Sequence, residues 1–296
     1  MKRLAALALA LLCPALSWGG YNSYIQFASG TAPSYEGLWW NAAESGWGVS
    51  IAHQGDTLFA VWYTYDRDGS PMWLVMPDAR LTNDDMEGAM GMMDMEMMGS
   101  MRNPPIFTGA LYRSSKSGNR VVMTEVGNAT LLFKDKDNAA FAYTVGNVSQ
   151  SKSIARMAFG SGGQECTLGG PKAATENFQD LWWNASDPGW GMNIAHQGEV
   201  LFATYYTYDT NGKGVWYSMS NTVRAGSAYT GPIQLVRGPA FDAPWDSSRV
   251  AATATGTASF TFEAGGAAVF NYSLGAERAI KTMARMAFSL PATVCR

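Results

Sequence analysis

The chain has 296 residues, 47% of them hydrophobic and only 15% charged, with 32 glycines and a formal net charge of −3. That length holds two modest domains with a core each, and the glycine-rich, charge-poor balance suits a turn-rich β protein better than a helical or disordered one. The lack of a basic stripe argues against a nucleic-acid binder, and beyond the N-terminus no run is long and apolar enough to span a bilayer as a helix.

In chain order, residues 1–19 come first. MKRLAALALALLCPALSWG has a basic start (Lys2, Arg3), an apolar stretch from Leu4 to Leu12 and small residues beyond it. This reads as a secretory signal peptide, with cleavage expected after Ser17 or Gly19. Leu12 is too large for the position before a lipidated Cys13, so simple export to the periplasm or the outside is expected, with no membrane span. Removing Lys2 and Arg3 leaves 19 basic against 24 acidic residues. Two cysteines survive, Cys166 and Cys295. An even pair in an exported chain predicts one disulfide, whereas a redox or metal thiolate pair lacks a second ligand nearby in sequence.

The rest of the chain is a duplication. LWWNAAESGWGVSIAHQGDTLFAVWYTYDRDGSPMWLVM starts at Leu38 and LWWNASDPGWGMNIAHQGEVLFATYYTYDTNGKGVWYSM at Leu181, with 23 of 39 positions identical at an offset of 143. A second block repeats at an offset of 129, from Val121 and Val250, and closes with ARMAF at 155–159 and 284–288. Each cysteine lies seven residues beyond the last phenylalanine of its copy. The organisation expected is repeat one over 21–166, a linker at 167–176 and repeat two over 177–296.

Copy one predicts short strands at 38–41, 48–53, 57–65, 71–76, 106–113, 121–126, 129–133, 140–145 and 153–159. Turn signals such as Gln54-Gly55 and Asp68-Gly69 separate them. Eight or nine hairpin-linked strands per copy predict an all-β fold: a tandem pair of small antiparallel meanders, each closed into a barrel or curled as a sandwich. Both faces of the 58–65 strand carry large side chains, one for the core and one for a neighbour or a ligand.

The motif Trp-Trp-Asn, Glu-Ser-Gly-Trp-Gly, His-Gln-Gly, Thr-Tyr-Asp resembles a repeat of exported, mostly proteobacterial proteins, and the resemblance covers both copies. It implies secretion and a β fold and carries no catalytic residues with it. Copy two departs from the acidic part, with Asp187-Pro188 where copy one has Glu44-Ser45. The early Trp/Gly motif also looks like avidin- or lipocalin-type barrels, an analogy of fold and not of ligand.

Within the repeats Glu44, Trp47 and His53 correspond to Asp187, Trp190 and His196. These six residues either line a repeated ligand pocket at a barrel mouth or serve local structure, the imidazole capping backbone groups at a tight turn. Trp39, Trp40, Trp62 and Trp73, with Trp182, Trp183 and Trp216, form either a stacking platform for a glycan or small apolar ligand, or aromatic core. An enzyme is not expected. Ser45 has Pro188 as its counterpart, no Gly-x-Ser-x-Gly elbow occurs, and acids such as Asp56 and Asp66 are ordinary turn-flanking residues.

Between 82 and 104 copy one carries an insertion that accounts for most of a 21-residue excess over copy two. It contains Met86, Met90, Met92, Met93, Met95, Met97, Met98 and Met101, eight of the chain's 17 methionines, with five carboxylates and no basic residue between Arg80 and Arg102. Thioethers are soft donors that select Cu(I) or Ag(I), and the carboxylates concentrate cations. In composition the stretch resembles the methionine-rich tracts of exported bacterial copper- and silver-handling proteins. Alternatives are a helical stripe gripping a partner, an oxidant sink and a neutral loop. The expectation is an exported, non-enzymatic protein that buffers, stores or delivers copper, with a copper-handling protein as partner. The alternative is an envelope or extracellular module that recognises a glycan or small apolar ligand through its aromatics.

Overall fold

Copy one begins with β1 (Ala32–Pro33) and then runs through β2 (Gly37–Trp40), β3 (Gly48–Gln54), β4 (Thr57–Tyr65), β5 (Pro71–Thr82), β6 (Ile106–Ser117), β7 (Arg120–Phe133), β8 (Asn138–Val145) and β9 (Val148–Arg156). After β10 (Cys166–Leu168), copy two repeats the order as β11 (Asp180–Trp183), β12 (Gly191–Gln197), β13 (Val200–Tyr208), β14 (Gly214–Ala225), β15 (Ala228–Arg237), β16 (Ala251–Phe262), β17 (Ala267–Leu274) and β18 (Glu277–Arg285), and ends with β19 (Thr293–Cys295). This computed structural model describes residues 32–82, 104–161, 165–169, 177–263 and 266–296. The expected signal peptide, the methionines of the insertion and positions 170–176 of the expected linker lie outside the described residues.

Each copy closes into an eight-stranded antiparallel barrel, β2 to β9 and β11 to β18. Closure comes from the first and last strands, with Trp39 opposite Arg156 and Trp182 opposite Arg285. An Arg guanidinium covers each tryptophan face at 4.8 Å, so the closing pair is the same cation–π contact in both copies. A barrel of eight strands is just wide enough for side chains to fill, and these are filled. Trp39, Leu58, Leu74 and Leu131 are fully buried in the first, and Trp182, Leu201, Phe260 and Phe270 in the second.

Two expected strands, 121–126 and 129–133, form one strand, β7, because Gly127 is no turn. It lets the Thr144 carbonyl of β8 approach so closely that a Cβ there would lie 1.7 Å from the oxygen. A bulge at the same place, between Leu111 and Tyr112 of β6, absorbs the extra residue. The expected strand at 153–159 instead ends at Arg156, and 157–159 leave the barrel for the other copy.

The two-faced strand β4 explains how the copies join. Leu58, Ala60 and Trp62 point into the first barrel, while Val61, Tyr63 and Tyr65 pack against copy two with Tyr206, Trp216 and Val236. The contacts recur in both directions. Trp73 Nε1 donates to the Thr207 carbonyl at 3.1 Å and Trp216 Nε1 to the Thr64 carbonyl at 2.9 Å. Gln54 reaches across to the Met286 carbonyl and the Phe288 amide, both at 2.8 Å, and Gln197 to the Met157 carbonyl and the Phe159 amide, both at 2.9 Å. Gly46 and Gly189, at φ 117° and 107°, leave room for Val250 and Val121 of the opposite copy, each of whose methyls would lie 2.5 Å from a Cβ. Such self-complementary pairing is what a two-fold-related dimer makes, here within one chain.

A three-stranded sheet, β1–β10–β19, ties the copies' ends together, and in it Cys166 faces Cys295 and bonds to it. The expected disulfide is present. It links equivalent positions, as a pair at a pseudo-two-fold axis must.

Candidate functional site

Each barrel has two ends. One carries the acid and its tryptophan. A 3-10 turn at Ala42–Glu44, capped by the Asn41 side chain on the Ala43 amide, presents Glu44 three residues before Trp47. Trp47 Nε1 donates to Glu44 Oε2 at 3.3 Å, and Lys152 of β9 binds the other oxygen at 2.8 Å. In the second barrel Asp187 Oδ2 accepts from Trp190 Nε1 at 2.8 Å and from Lys281 Nζ at 2.9 Å. The Lys281 hydrogen bond holds the Asp187 carboxyl below its ordinary pKa, with that of Trp190 adding to it, and the ammonium also sits 4.6 Å over the Trp190 ring. The acid, tryptophan and lysine form a repeated group. Its lysines were missed by sequence reasoning, although they align at the offset of 129 like the rest of that block.

The histidines lie at the other end. β3 and β12 are extended, so the six residues from Trp47 to His53, or from Trp190 to His196, span about 20 Å. The structure therefore does not bring Glu44, Trp47 and His53, or Asp187, Trp190 and His196, into one pocket. Both imidazoles are structural in their contacts. His53 Nδ1 accepts from the Tyr35 amide at 3.1 Å, which places the proton on Nε2 for the Gly55 carbonyl at 3.1 Å. The Tyr35 ring stacks on it, Phe107 meets it edge-on, and burial pushes its pKa down to about 4. His196 Nδ1 accepts from the Phe178 amide at 3.0 Å under the stacked Phe178 ring, and burial lowers its pKa too. Tyr35 and Phe178, again equivalent at 143, carry these stacks, and sequence reasoning gave them no part.

The tryptophans resolve toward core. Trp39, Trp47, Trp62, Trp73, Trp182, Trp190 and Trp216 are all buried, and Trp40 and Trp183 half-buried. With the disulfide formed, neither cysteine is a free thiolate. Among the described residues no group of three or more His, Cys, Asp or Glu side chains is placed to hold a metal ion.

The acid end of the first barrel has a further feature. The segment from Gly238 to Arg249, the extension peculiar to copy two, crosses over it as a strap. Its Phe241 ring meets Trp62 at 5.7 Å and Trp245 meets Trp47 at 6.3 Å, while Tyr143 Oη, which donates to Gln150 Oε1 at 2.9 Å, lies 3.2 Å from the Phe241 carbonyl, and Arg67 pairs with Asp242 at 2.8 Å. Beside the strap runs an open groove of about 590 Å³ whose walls include Glu44, Gln150, Lys152, Asp242 and Trp245.

The methionine-rich insertion leaves from the histidine end of the same barrel. Its flanking strands stay paired to the root, with Thr82 opposite Ile106. In copy two the equivalent hairpin closes through Gly226 and Ser227 between Ala225 and Ala228, which face each other. No protein family, curated protein or solved structure was found to match the chain.

Proposed function

We propose that the protein is an exported, non-enzymatic binder of soft monovalent metal, Cu(I) or Ag(I), that displays its methionine-rich segment from a rigid tandem-barrel scaffold. The observation that carries this reading is the root of the insertion. β5 and β6 are held together up to Thr82 and Ile106, so the segment between them is tethered at both ends, and copy two makes the same connection with two residues. Folding the repeat does not call for the insertion. Its composition is then free to answer to a ligand, and eight thioethers among carboxylates answer to a soft cation.

The scaffold supports the same reading by what it withholds. His53 and His196 have both ring nitrogens engaged, and the cysteines are bonded to each other. Met72, Met76, Met192, Met219 and Met283 are buried in the barrels. Among the described residues Met123 of β7 is the one exposed methionine, a lone thioether set against the eight that the insertion brings together in sequence. A disulfide fits an oxidising compartment, as the N-terminal signal-like segment does, and there the function is to buffer, store or hand on copper to a copper-handling partner.

Anaerobic titration with Cu(I) against a competing chelator tests this. Wild-type protein is expected to take copper from the chelator, and a variant with the methionines between 86 and 101 changed to leucine is expected to lose that uptake. Equal uptake by the two proteins would sink the proposal.

A further inference from the structure

We propose that the acid end of the first barrel is a saccharide-binding site, in which a pyranose lies along the Trp245 strap and one of its oxygens accepts a hydrogen bond from Trp62 Nε1–H. The starting point is that indole. Trp62 is 3% exposed, and its Nε1–H has no hydrogen-bond partner among the described residues. A buried donor without an acceptor bears its full desolvation cost with no hydrogen bond to offset it, so a stable fold rarely keeps one without a use. The repeat offers a remedy that this copy does not take. Copy two has Tyr205 at the equivalent position, and the Tyr205 hydroxyl is engaged with Thr207 and Tyr272. The unpaired donor belongs to the first barrel alone, as the strap does.

The surroundings say what the donor could meet. Trp62 lines a partly open chamber of about 10 Å³ together with Glu44, Trp47, Tyr143, Lys152, Phe241 and Trp245. That volume admits a single oxygen atom and no ring. Glu44, Lys152 and Trp245 also line the 590 Å³ groove outside, so chamber and groove are neighbours along one wall. The groove has room for a sugar ring, and Trp245 is half-buried on its wall. Around that ring stand carboxylate acceptors at Glu44 and Asp242, an amide at Gln150 and an ammonium at Lys152.

This mixture selects a ligand class. An apolar ligand would desolvate the Glu44–Lys152 pair without replacing its partners. An anion would meet two carboxylates, and a cation would meet the lysine. A neutral polyhydroxyl ring supplies an apolar face for the indole, and hydroxyls that both donate to carboxylates and accept from amide, ammonium and indole N–H. One hydroxyl oxygen is the size of the inner chamber.

The test is calorimetric titration of the intact protein with glucose, galactose, N-acetylglucosamine and their β-linked disaccharides, followed in parallel by tryptophan fluorescence. At least one sugar is expected to bind saturably to the wild type. Trp245→Ala is expected to weaken it by more than tenfold, and Trp62→Phe, which removes the donor while keeping an aromatic ring, by about tenfold. Because Trp62 is a core residue, Gln150→Ala on the rim, which also removes the acceptor of the Tyr143 hydroxyl, gives a second arm, with a loss of several-fold. The proposal is overturned if none of these sugars binds, in which case the chamber serves an ordered water. It is also overturned if a sugar binds with an affinity that Trp245→Ala and Gln150→Ala leave unchanged.

Discussion

The two barrels agree inside and differ outside. Their closing Trp–Arg pairs, buried imidazoles, cross-copy glutamines and paired acids and lysines superpose position for position. Their ends do not. The first barrel has a strap from copy two across its acid end and the long insertion at its histidine end, whereas the second has a two-residue turn at the place of the insertion. Around the second barrel's acid end, Val121 of the β6–β7 hairpin meets Gly189 as Val250 meets Gly46, but no Phe241 or Trp245 accompanies it. A feature required to fold the repeat must be present twice. Features present once are released from that requirement, and both lie on the first barrel.

Within the shared framework the largest expected difference is electrostatic, one of degree between equivalent groups. His53 and His196 are both buried neutral, and burial depresses His53 to about 4 from an ordinary 6.5. The unfolded chain takes up a proton through that interval while the folded chain does not. The contribution is therefore intact above pH 6.5, is lost as the pH falls toward 4, and amounts to about 3 kcal/mol. Urea denaturation at pH 7, 5.5 and 4 should show His53→Gln flattening this acid loss more than His196→Gln, whose ring is less enclosed. Equal flattening by both would erase the distinction between the two imidazoles.

A smaller effect should be the same in both copies. Gln54 and Gln197 each satisfy a carbonyl and two amides of the other copy's departing tail. Replacing either by alanine strands those backbone groups and should cost about 2 kcal/mol. A shift in denaturation midpoint confined to one of the two variants would show that the geometric symmetry of the interface is not an energetic one.

Much of the shared framework was legible in the sequence. Gapless repetition and turn pairs such as Gln54-Gly55 lead to tandem meander barrels, and the two-faced strand at 58–65 leaves a neighbour or a ligand for its outer face, which the structure gives to the other copy. The cysteines' equal distance from ARMAF leads to their pairing. Where the reading failed, the cause was distance along or across the sheet. Glu44 and His53 are nine residues apart in the chain, yet an extended strand carries them to opposite ends of a barrel, a separation already implied by the strand assigned to 48–53. Lys152 joins Glu44, Tyr35 stacks on His53, and Trp245 crosses to Trp47, through barrel closure and copy-to-copy docking that no local pattern encodes. Gly127 was misread because a glycine that admits a neighbouring carbonyl looks, in sequence, like one that makes a turn.

The smallest expected effect is the one that bears most on function. Replacing residues 83–105 by Gly-Ser, the residues with which copy two turns the same corner, should leave the barrels folded. A shorter connection costs less entropy to close, so stability should rise by about 1 kcal/mol, seen as an unchanged circular dichroism spectrum with a slightly higher Tm. The same protein should fail to compete for Cu(I) while still binding sugar at the strap, since the insertion is rooted at the end of the first barrel opposite the strap. Unfolding on this replacement would mean that the insertion is structural in copy one, and the contrast between a required framework and a released appendage would fall with it. A folded variant that still takes copper would leave the contrast standing and move the soft-metal site elsewhere in the chain.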